Sequence, residues 1–203
     1  MPPETQSPVV GTEPGNTRQA ILQASHDLFL QQGYHGTSMR QIAQEAGIAL
    51  GGIYNHFASK EELFIQVLLA YHPIHEVLPA IAQSESKNPE AFVHDAAQTI
   101  SRILQARPGF LNLMFIEMVE FGSQHLPLIY ESFFPLGLQA AQRFAEKQSR
   151  LREFPVAIML RAFLGLIFSL TLTRVMLAGR GEAVGDPQEV QQFAEIFLHG
   201  IMK

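Results

Sequence analysis

Three side chains of the type that binds metals lie close together in the sequence. His72, His75 and Glu76 have the spacing i, i+3 and i+4, which places side chains on one face of a helix. The HExxH pattern of zinc enzymes is not completed, because Val77-Leu78-Pro79 follows Glu76. Pro73 also interrupts a helix between the two histidines. We therefore expect no metal site and no cofactor.

No other cluster has the pattern of a catalytic site. The sequence has no GxSxG nucleophile motif, no phosphate-binding P-loop and no cysteine for thiolate chemistry or disulfides. The glycines between positions 179 and 185 predict a flexible connection and match no dinucleotide motif. We do not expect an enzyme. An all-helical enzyme stays open as an alternative, and it would turn over a ligand that a binding protein only holds.

The segment Thr37–Phe57, TSMRQIAQEAGIALGGIYNHF, has the residue types and spacing of a DNA-reading element. It predicts two short helices joined by a turn at Gly47, which adopts a left-handed backbone at low cost. This pattern is typical of a helix-turn-helix, whose second helix enters the major groove. On that helix Asn55 suits adenine and Leu50 suits a thymine methyl group. The apolar positions that join the two helices are Ile42, Ala43, Ala46, Ile53 and Phe57. An ordinary helical pair in a bundle would explain these apolar positions equally well.

Helices must position this segment, because no stretch alternates apolar and polar residues long enough to form a sheet. We predict an all-α chain of about nine helices, with bends or breaks at Pro73, Pro79 and Pro135. The predicted helices are 17–32, 38–46, 49–57, 60–84, 89–106, 109–121, 126–149, 154–179 and 187–201. Their start signals are Asn16, Ser38, Ser59, Asn88 and Asp186. The predicted domains are a disordered tail (1–16), a three-helix helix-turn-helix domain (17–64) and a helical domain (65–203).

The composition sets limits on location and partners. A net charge of −5 gives no general attraction to nucleic acid, so DNA binding would depend on local pattern. The most apolar stretch, Ala162–Thr173, is shorter than the roughly 20 residues of a membrane span and predicts a buried helix. The first 16 residues lack the basic start and apolar core of a signal peptide. We expect a cytoplasmic protein that does not bind a membrane.

The helix-turn-helix segment carries a specific resemblance. The run Gly33-Tyr34-x-x-Thr37-Ser38-x-x-x-Ile42-Ala43-x-x-Ala46-Gly47-Ile48-x-x-Gly51-x-Ile53-Tyr54-x-His56-Phe57-x-x-Lys60-Glu61-x-Leu63 closely resembles the TetR family of repressors. The likeness covers Thr17–Phe64. It implies a homodimer that binds a palindromic double-stranded DNA operator and is released by a small-molecule effector. Effector binding would move the two DNA-binding domains apart through the fourth and sixth helices.

The resemblance also implies roles for individual residues. Those expected to contact DNA phosphates are Ser38, Arg40, Tyr54, His56 and Lys60. Those expected to face the groove are Leu50, Gly51, Gly52 and Asn55. Three departures from the family weaken this site: Ala49 replaces a capping serine, Gly51-Gly52 is a poor helix pair, and the domain is not basic. We therefore expect a recognition helix that is soft until DNA orders it, and a shallow salt dependence of DNA binding.

Aromatic and methionine side chains recur at helical spacing in the C-terminal half and predict an apolar effector cavity, although plain core packing would also explain them. The predicted cavity residues are Phe110, Met114, Phe115, Glu117, Met118, Tyr130, Phe133, Phe134, Phe163 and Ile167. Glu117 and Glu120 stand on an otherwise apolar helix. They would either hold a cationic effector or form a solvated face.

The last two predicted helices carry apolar stripes, which the resemblance assigns to a four-helix dimer interface. The predicted interface residues are Leu160, Leu164, Leu170, Val190, Phe193, Phe197 and Ile201.

The main alternative to a DNA-binding repressor is a helical small-molecule carrier whose DNA-binding domain is vestigial. An activator is a second alternative to a repressor.

Overall fold

The computed structural model describes residues 14–84, 86, 88–145, 152–177 and 186–202. The predicted tail up to residue 13 and the glycine connection at 179–185 lie outside this part of the chain. The chain divides into two compact units, Met1–Ala70 and Tyr71–Lys203, called here the N-terminal and C-terminal units. The described residues are helical with no strand, which confirms the all-α prediction.

From residue 14 onward, the N-terminal unit contains four helices: α1 (Pro14–Gly36), α2 (Met39–Glu45), α3 (Leu50–Ile53) and α4 (Lys60–Ala70). Helix α1 begins before Asn16, so the predicted cap at that residue is wrong. Its helical geometry breaks at Gly33, where φ is 74°, because glycine adopts this conformation without a steric penalty. The sequence predicts the end of the helix at this glycine.

Buried apolar side chains from all four helices form the core of the N-terminal unit. They include Ile21, Phe29, Ile42, Ile53, Phe57, Leu63, Phe64 and Val67. The rings of Phe29 and Phe64 meet edge to face with their centroids 5.2 Å apart. Because α4 packs on α1 through Leu63, Phe64, Val67 and Leu68, all of α4 belongs to this unit. The predicted domain boundary at 64/65 therefore falls inside a helix, and the structure moves it to 70/71.

The described residues of the C-terminal unit form six helices: α5 (Ile74–Ala82), α6 (Pro89–Gln105), α7 (Gly109–Glu120), α8 (Leu126–Ala145), α9 (Val156–Leu177) and α10 (Pro187–Ile201). The predicted fourth helix is two helices, because Pro73 ends helical geometry between α4 and α5. Pro79 and Pro135 instead lie within continuous helices. The predicted caps are confirmed at Asn88, which accepts from the Ala91 N–H at 2.8 Å, and at Asp186.

Helix α9 buries one stripe of side chains and leaves the remainder exposed. Met159, Phe163, Ile167 and Leu170 are buried against the core, whereas Arg161 and Arg174 are exposed. The prediction of a buried helix is therefore only partly right, because neighbouring helices cover a single side of α9. By length and composition alone, α9 and the stretch Lys60–Ala82 are apolar enough to cross a membrane. The second stretch is divided by the break between α4 and α5.

Candidate DNA-binding and ligand-binding sites

The turn between α2 and α3 has the geometry that the sequence predicts. Ser38 and Gln41 form a reciprocal capping box at the start of α2, with the Gln41 N–H 3.2 Å from the serine Oγ. Gly47 has φ +69°, and the Ile48 N–H donates to the Ala43 carbonyl at 2.9 Å. Ala49 precedes α3 and makes no side-chain cap. The short α3 is therefore held mainly by the burial of Ile53.

The predicted groove-facing residues lie on the outer surface of the N-terminal unit. Leu50 is 42% exposed and Tyr54 is 52% exposed, while Asn55 and Gly51 are also open to solvent. No atom lies within 4 Å of where a Cβ at Gly51 would stand, so the backbone there is open to a close approach. His56 is half-buried beside this surface. The face can present base-contacting and phosphate-contacting groups together.

Arg40 is an exposed cation of this surface, and it has no hydrogen bond or ion pair with any described residue. Arg18 is engaged within the unit, because it donates to the Gln66 side chain at 3.0 Å and stands 5.0 Å from the centre of the Phe57 ring. The unit therefore offers fewer free cations to phosphates than its sequence contains.

Lys60, a predicted phosphate contact, is engaged within the N-terminal unit. Its ammonium donates to the Tyr34 carbonyl at 2.8 Å and to the Thr37 carbonyl at 2.6 Å, and it lies 4.1 Å from the centre of the Tyr34 ring. These contacts tie the start of α4 to the segment between α1 and α2. The phosphate contact of Lys60 stays a prediction.

We expect Lys60→Met to lower the free energy of unfolding by about 1.5–3 kcal/mol, the range for hydrogen bonds to a charged group. The matched variant Arg40→Met should change it by no more than about 0.5 kcal/mol, since that side chain is exposed and unpaired. Urea denaturation of both variants measures the difference. Equal stability of the two variants would contradict the structural role of Lys60.

The C-terminal unit contains a cavity of about 530 Å³ bordered by all six of its helices. Its aromatic walls come from Phe92, Phe110, Phe133, Phe134, Phe163, Phe168 and Phe197. Among the described residues that line it, none is Asp, Glu, Lys or Arg, and three have polar side chains: His72, Tyr130 and Thr171. A cavity of this size and polarity suits a small, largely apolar molecule.

Comparison with known proteins agrees with the helix-turn-helix geometry. The family model described as "Bacterial regulatory proteins, tetR family" matches residues 21–67. Residues 21–67 belong to the DNA-binding domain of the TetR family. The repressor AcnR of Corynebacterium glutamicum is 37% identical over 59 residues, which are 29% of this chain and 31% of AcnR. The chain aligns with less than half the length of this and similar curated relatives.

Solved structures of TetR-family proteins match nearly the whole chain. A Mesorhizobium loti protein assigned to the family has a TM-score of 0.74 at 21% identity, covering 95% of this chain and 100% of that one. NalD of Pseudomonas aeruginosa, the secondary repressor of the MexAB-OprM multidrug efflux pump, has a TM-score of 0.68 at 25% identity. The match covers 93% of this chain and 97% of NalD. The TetR fold therefore extends through the C-terminal unit.

The structure brings together most of the effector residues that the sequence predicts. Those that line the cavity are Phe110, Met114, Tyr130, Phe133, Phe134, Phe163 and Ile167. Phe115 and Met118 do not line the cavity, and both are exposed, at 37% and 49%. Glu117 is buried but pairs with His125 and does not line the cavity. These three assignments are corrected.

Sequence reasoning missed the contribution of α5 and α6 to the cavity. Their lining residues include His72, Ile74, Val77, Val93 and Ile100. The apolar spacing Val93, Ala96, Ile100 along α6 was a signal that could have identified this wall.

Most of the predicted dimer residues are internal. Leu170, Val190, Phe197 and Ile201 are buried in the core of the unit, and Phe193 packs against that core. Leu160 and Leu164 line the cavity. The prediction is corrected for Leu170, Val190, Phe193, Phe197 and Ile201, because they pack within their own chain, where α10 contacts α6 and α9. Leu160 is half-buried and Leu164 is 40% exposed, so their place in a dimer interface stays a prediction. The apolar side chains that stay exposed on α9 and α10 are Ile158, Leu164, Phe168, Val175, Met176 and Ile196.

His72 stands at the start of α5 among aromatic rings. Its ring stacks on Phe133 with the centroids 4.3 Å apart and meets Phe110 edge to face at 5.1 Å. Burial lowers the pKa of His72 to about 4, and the nearby His75 adds to the effect. The imidazole is therefore neutral near pH 7. Among the described residues, no group of three potential ligands could hold a metal ion.

We expect His72 to make stability fall with acidification. Between pH 6.5 and about pH 4 the unfolded chain binds a proton that the folded chain does not, so the free energy of unfolding decreases as pH falls. The limiting slope is about 1.4 kcal/mol per pH unit. Urea denaturation from pH 4 to 7 should show this contribution disappear in His72→Phe. The nearby charged groups His75, Glu76 and Arg107 are present in both proteins, and parallel pH curves would contradict the expectation.

Proposed function

We propose that this protein is a sequence-specific transcriptional regulator that represses its genes as a homodimer on a palindromic DNA operator. A small, largely apolar effector would bind the cavity of the C-terminal unit and release the protein from DNA. Because its target is DNA, the protein would act in the cytoplasm. Release would require a coupling free energy of about 1–3 kcal/mol or more between effector and DNA binding.

The observation that carries this proposal is the division of the α3 region into two faces. Ile53 and Phe57 are fully buried against the unit, while Leu50, Tyr54 and Asn55 are exposed. An ordinary helical pair explains the buried face only. The exposed face supports base contacts from Asn55 and Leu50 and phosphate contacts from Tyr54, Arg40 and His56.

The test is selection of bound fragments from a random DNA library with the purified protein. The expected result is a palindromic consensus whose affinity is lost with Tyr54→Ala. Phe154→Ala is the matched control, because that aromatic side chain is similarly exposed, at 46%, but belongs to the C-terminal unit and does not line the cavity. Absence of enrichment at low salt would overturn the proposal and favour the small-molecule carrier.

The engaged cations predict a weak salt dependence for the selected operator. Each phosphate contacted adds about −0.9 to the slope of log affinity against log salt concentration. With Arg18 and Lys60 held within the unit, we expect a shallow slope that Arg40→Ala reduces further. A steep slope that Arg40→Ala leaves unchanged would assign the phosphate contacts to other residues.

The exposed apolar face of α9 and α10 supports a dimer. Among the described residues, Val175, Met176 and Ile196 are large apolar side chains that are 41%, 70% and 64% exposed, and such a face favours burial against a second copy. We expect Val175→Glu combined with Ile196→Glu to shift the protein from dimer to monomer in sedimentation equilibrium. A dimer that survives both changes would place the interface elsewhere.

A further inference from the structure

The hydrogen bonding of His72 determines which of its nitrogens carries the hydrogen. The Ile74 N–H, one of the unpaired donors in the first turn of α5, donates to His72 Nδ1 at 3.2 Å. A backbone N–H can only donate, so Nδ1 must be the acceptor nitrogen. In the neutral ring the hydrogen is therefore on Nε2, which is a donor.

The Nε2–H group is available to a ligand. His72 lines the cavity, and no described residue accepts a hydrogen bond from Nε2. Nε2 is also not among the polar side-chain atoms that are fully buried without a hydrogen-bond partner. A molecule the size of water can therefore reach it. A donor in apolar surroundings gains free energy when an acceptor is brought to it.

The two other polar groups of the lining are less suited to this role. The Thr171 hydroxyl already donates to the Ile167 carbonyl of its own helix at 2.8 Å. Tyr130 is more than half exposed, so solvent competes for its hydroxyl, and its ring stacks on Phe134 at 4.4 Å. Among the described lining residues, His72 therefore supplies the donor, Nε2–H, that lies among apolar side chains and has no acceptor.

We propose that the cavity selects an uncharged molecule with an apolar body and one hydrogen-bond-accepting oxygen, such as a ketone or ester, which binds His72 Nε2–H. This inference rests on the proposed effector site and names its ligand class. Carboxylates and amines are disfavoured, because no described lining residue carries an opposite charge to offset their desolvation. A plain hydrocarbon fills the cavity but leaves the donor unpaired.

The experiment measures the dissociation constants of four ten-carbon probes by isothermal titration calorimetry: 2-decanone, decane, decanoate and decylamine. We expect 2-decanone to bind the full-length protein about 3–10-fold more tightly than decane, the range for one net hydrogen bond. Decanoate and decylamine should bind more weakly than 2-decanone. Tighter binding of either charged probe would overturn the inference.

Variants separate the hydrogen bond from the shape of the site. His72→Phe keeps a ring between Phe133 and Phe110 but removes the donor, so the preference for 2-decanone over decane should disappear. His72→Gln restores a donor and should recover part of it. His75→Phe is the matched control, because His75 is exposed, also contacts Phe133 and does not line the cavity.

The outcomes distinguish this inference from the proposed function. A preference for the ketone that survives His72→Phe would overturn the role of His72 alone. Absence of binding by all four probes would overturn both the ligand class and the effector site. Loss of DNA recognition together with a His72-dependent ketone preference would support the ligand inference and refute the regulator.

Discussion

Ile53→Ala is expected to lower the free energy of unfolding of the N-terminal unit by about 2–5 kcal/mol, the range for truncating a large buried aliphatic side chain. Ile53 has 0% exposure and is the buried residue of α3. The helix has four residues, two of them glycines, and no capping side chain, so little else holds it. If the exposed face of α3 reads DNA, the same change should remove operator binding.

The measurement is urea denaturation combined with hydrogen exchange at the amides of α2 and α3. Leu50→Ala is the matched control, because it also truncates an apolar side chain of α3, but one that is 42% exposed. It should change stability by about 0.5 kcal/mol or less while weakening DNA binding. An Ile53→Ala protein as stable as Leu50→Ala would show that α3 is held by something other than this side chain.

Local chemistry made the helix boundaries and the turn predictable. Ser38 with Gln41, Asn88 and Asp186 each satisfy N–H groups at a helix start, and this requirement depends only on neighbouring residues. Gly47 is similar, because a left-handed residue is needed where α2 ends. The missing cap at Ala49 was also predictable from one residue type.

Contacts between residues distant in sequence were not predictable in this way. The sequence shows Lys60 as a cation at a helix start, but its partners are carbonyls 23 and 26 residues away. The stripe on α10 signals burial without saying which surface covers it, and its own chain does so through α6 and α9. His72 looked like part of a metal motif, while its cavity position depends on rings from α7 and α8.

Glu117 is the residue for which the sequence left two functions open and the structure favours a third. It is fully buried, at 0% exposure, near the end of α7. Its carboxylate accepts from the His125 backbone N–H at 2.7 Å and pairs with His125 Nδ1 at 2.9 Å. These bonds close the turn between α7 and α8, where Gly122 and Ser123 both have positive φ.

We therefore expect Glu117→Leu to destabilise the C-terminal unit by about 1–3 kcal/mol for each of the two hydrogen bonds to His125 that the change removes. Glu117→Gln should cost less, because its amide oxygen can still accept one of them. Glu120→Leu is the matched control on the same helix, since that carboxylate is partly exposed. Thermal and urea denaturation compare the three variants. If Glu117→Leu loses no more stability than Glu120→Leu, the turn-closing role is contradicted. A pair with His125 that could be broken at no cost would not explain why a carboxylate is buried there.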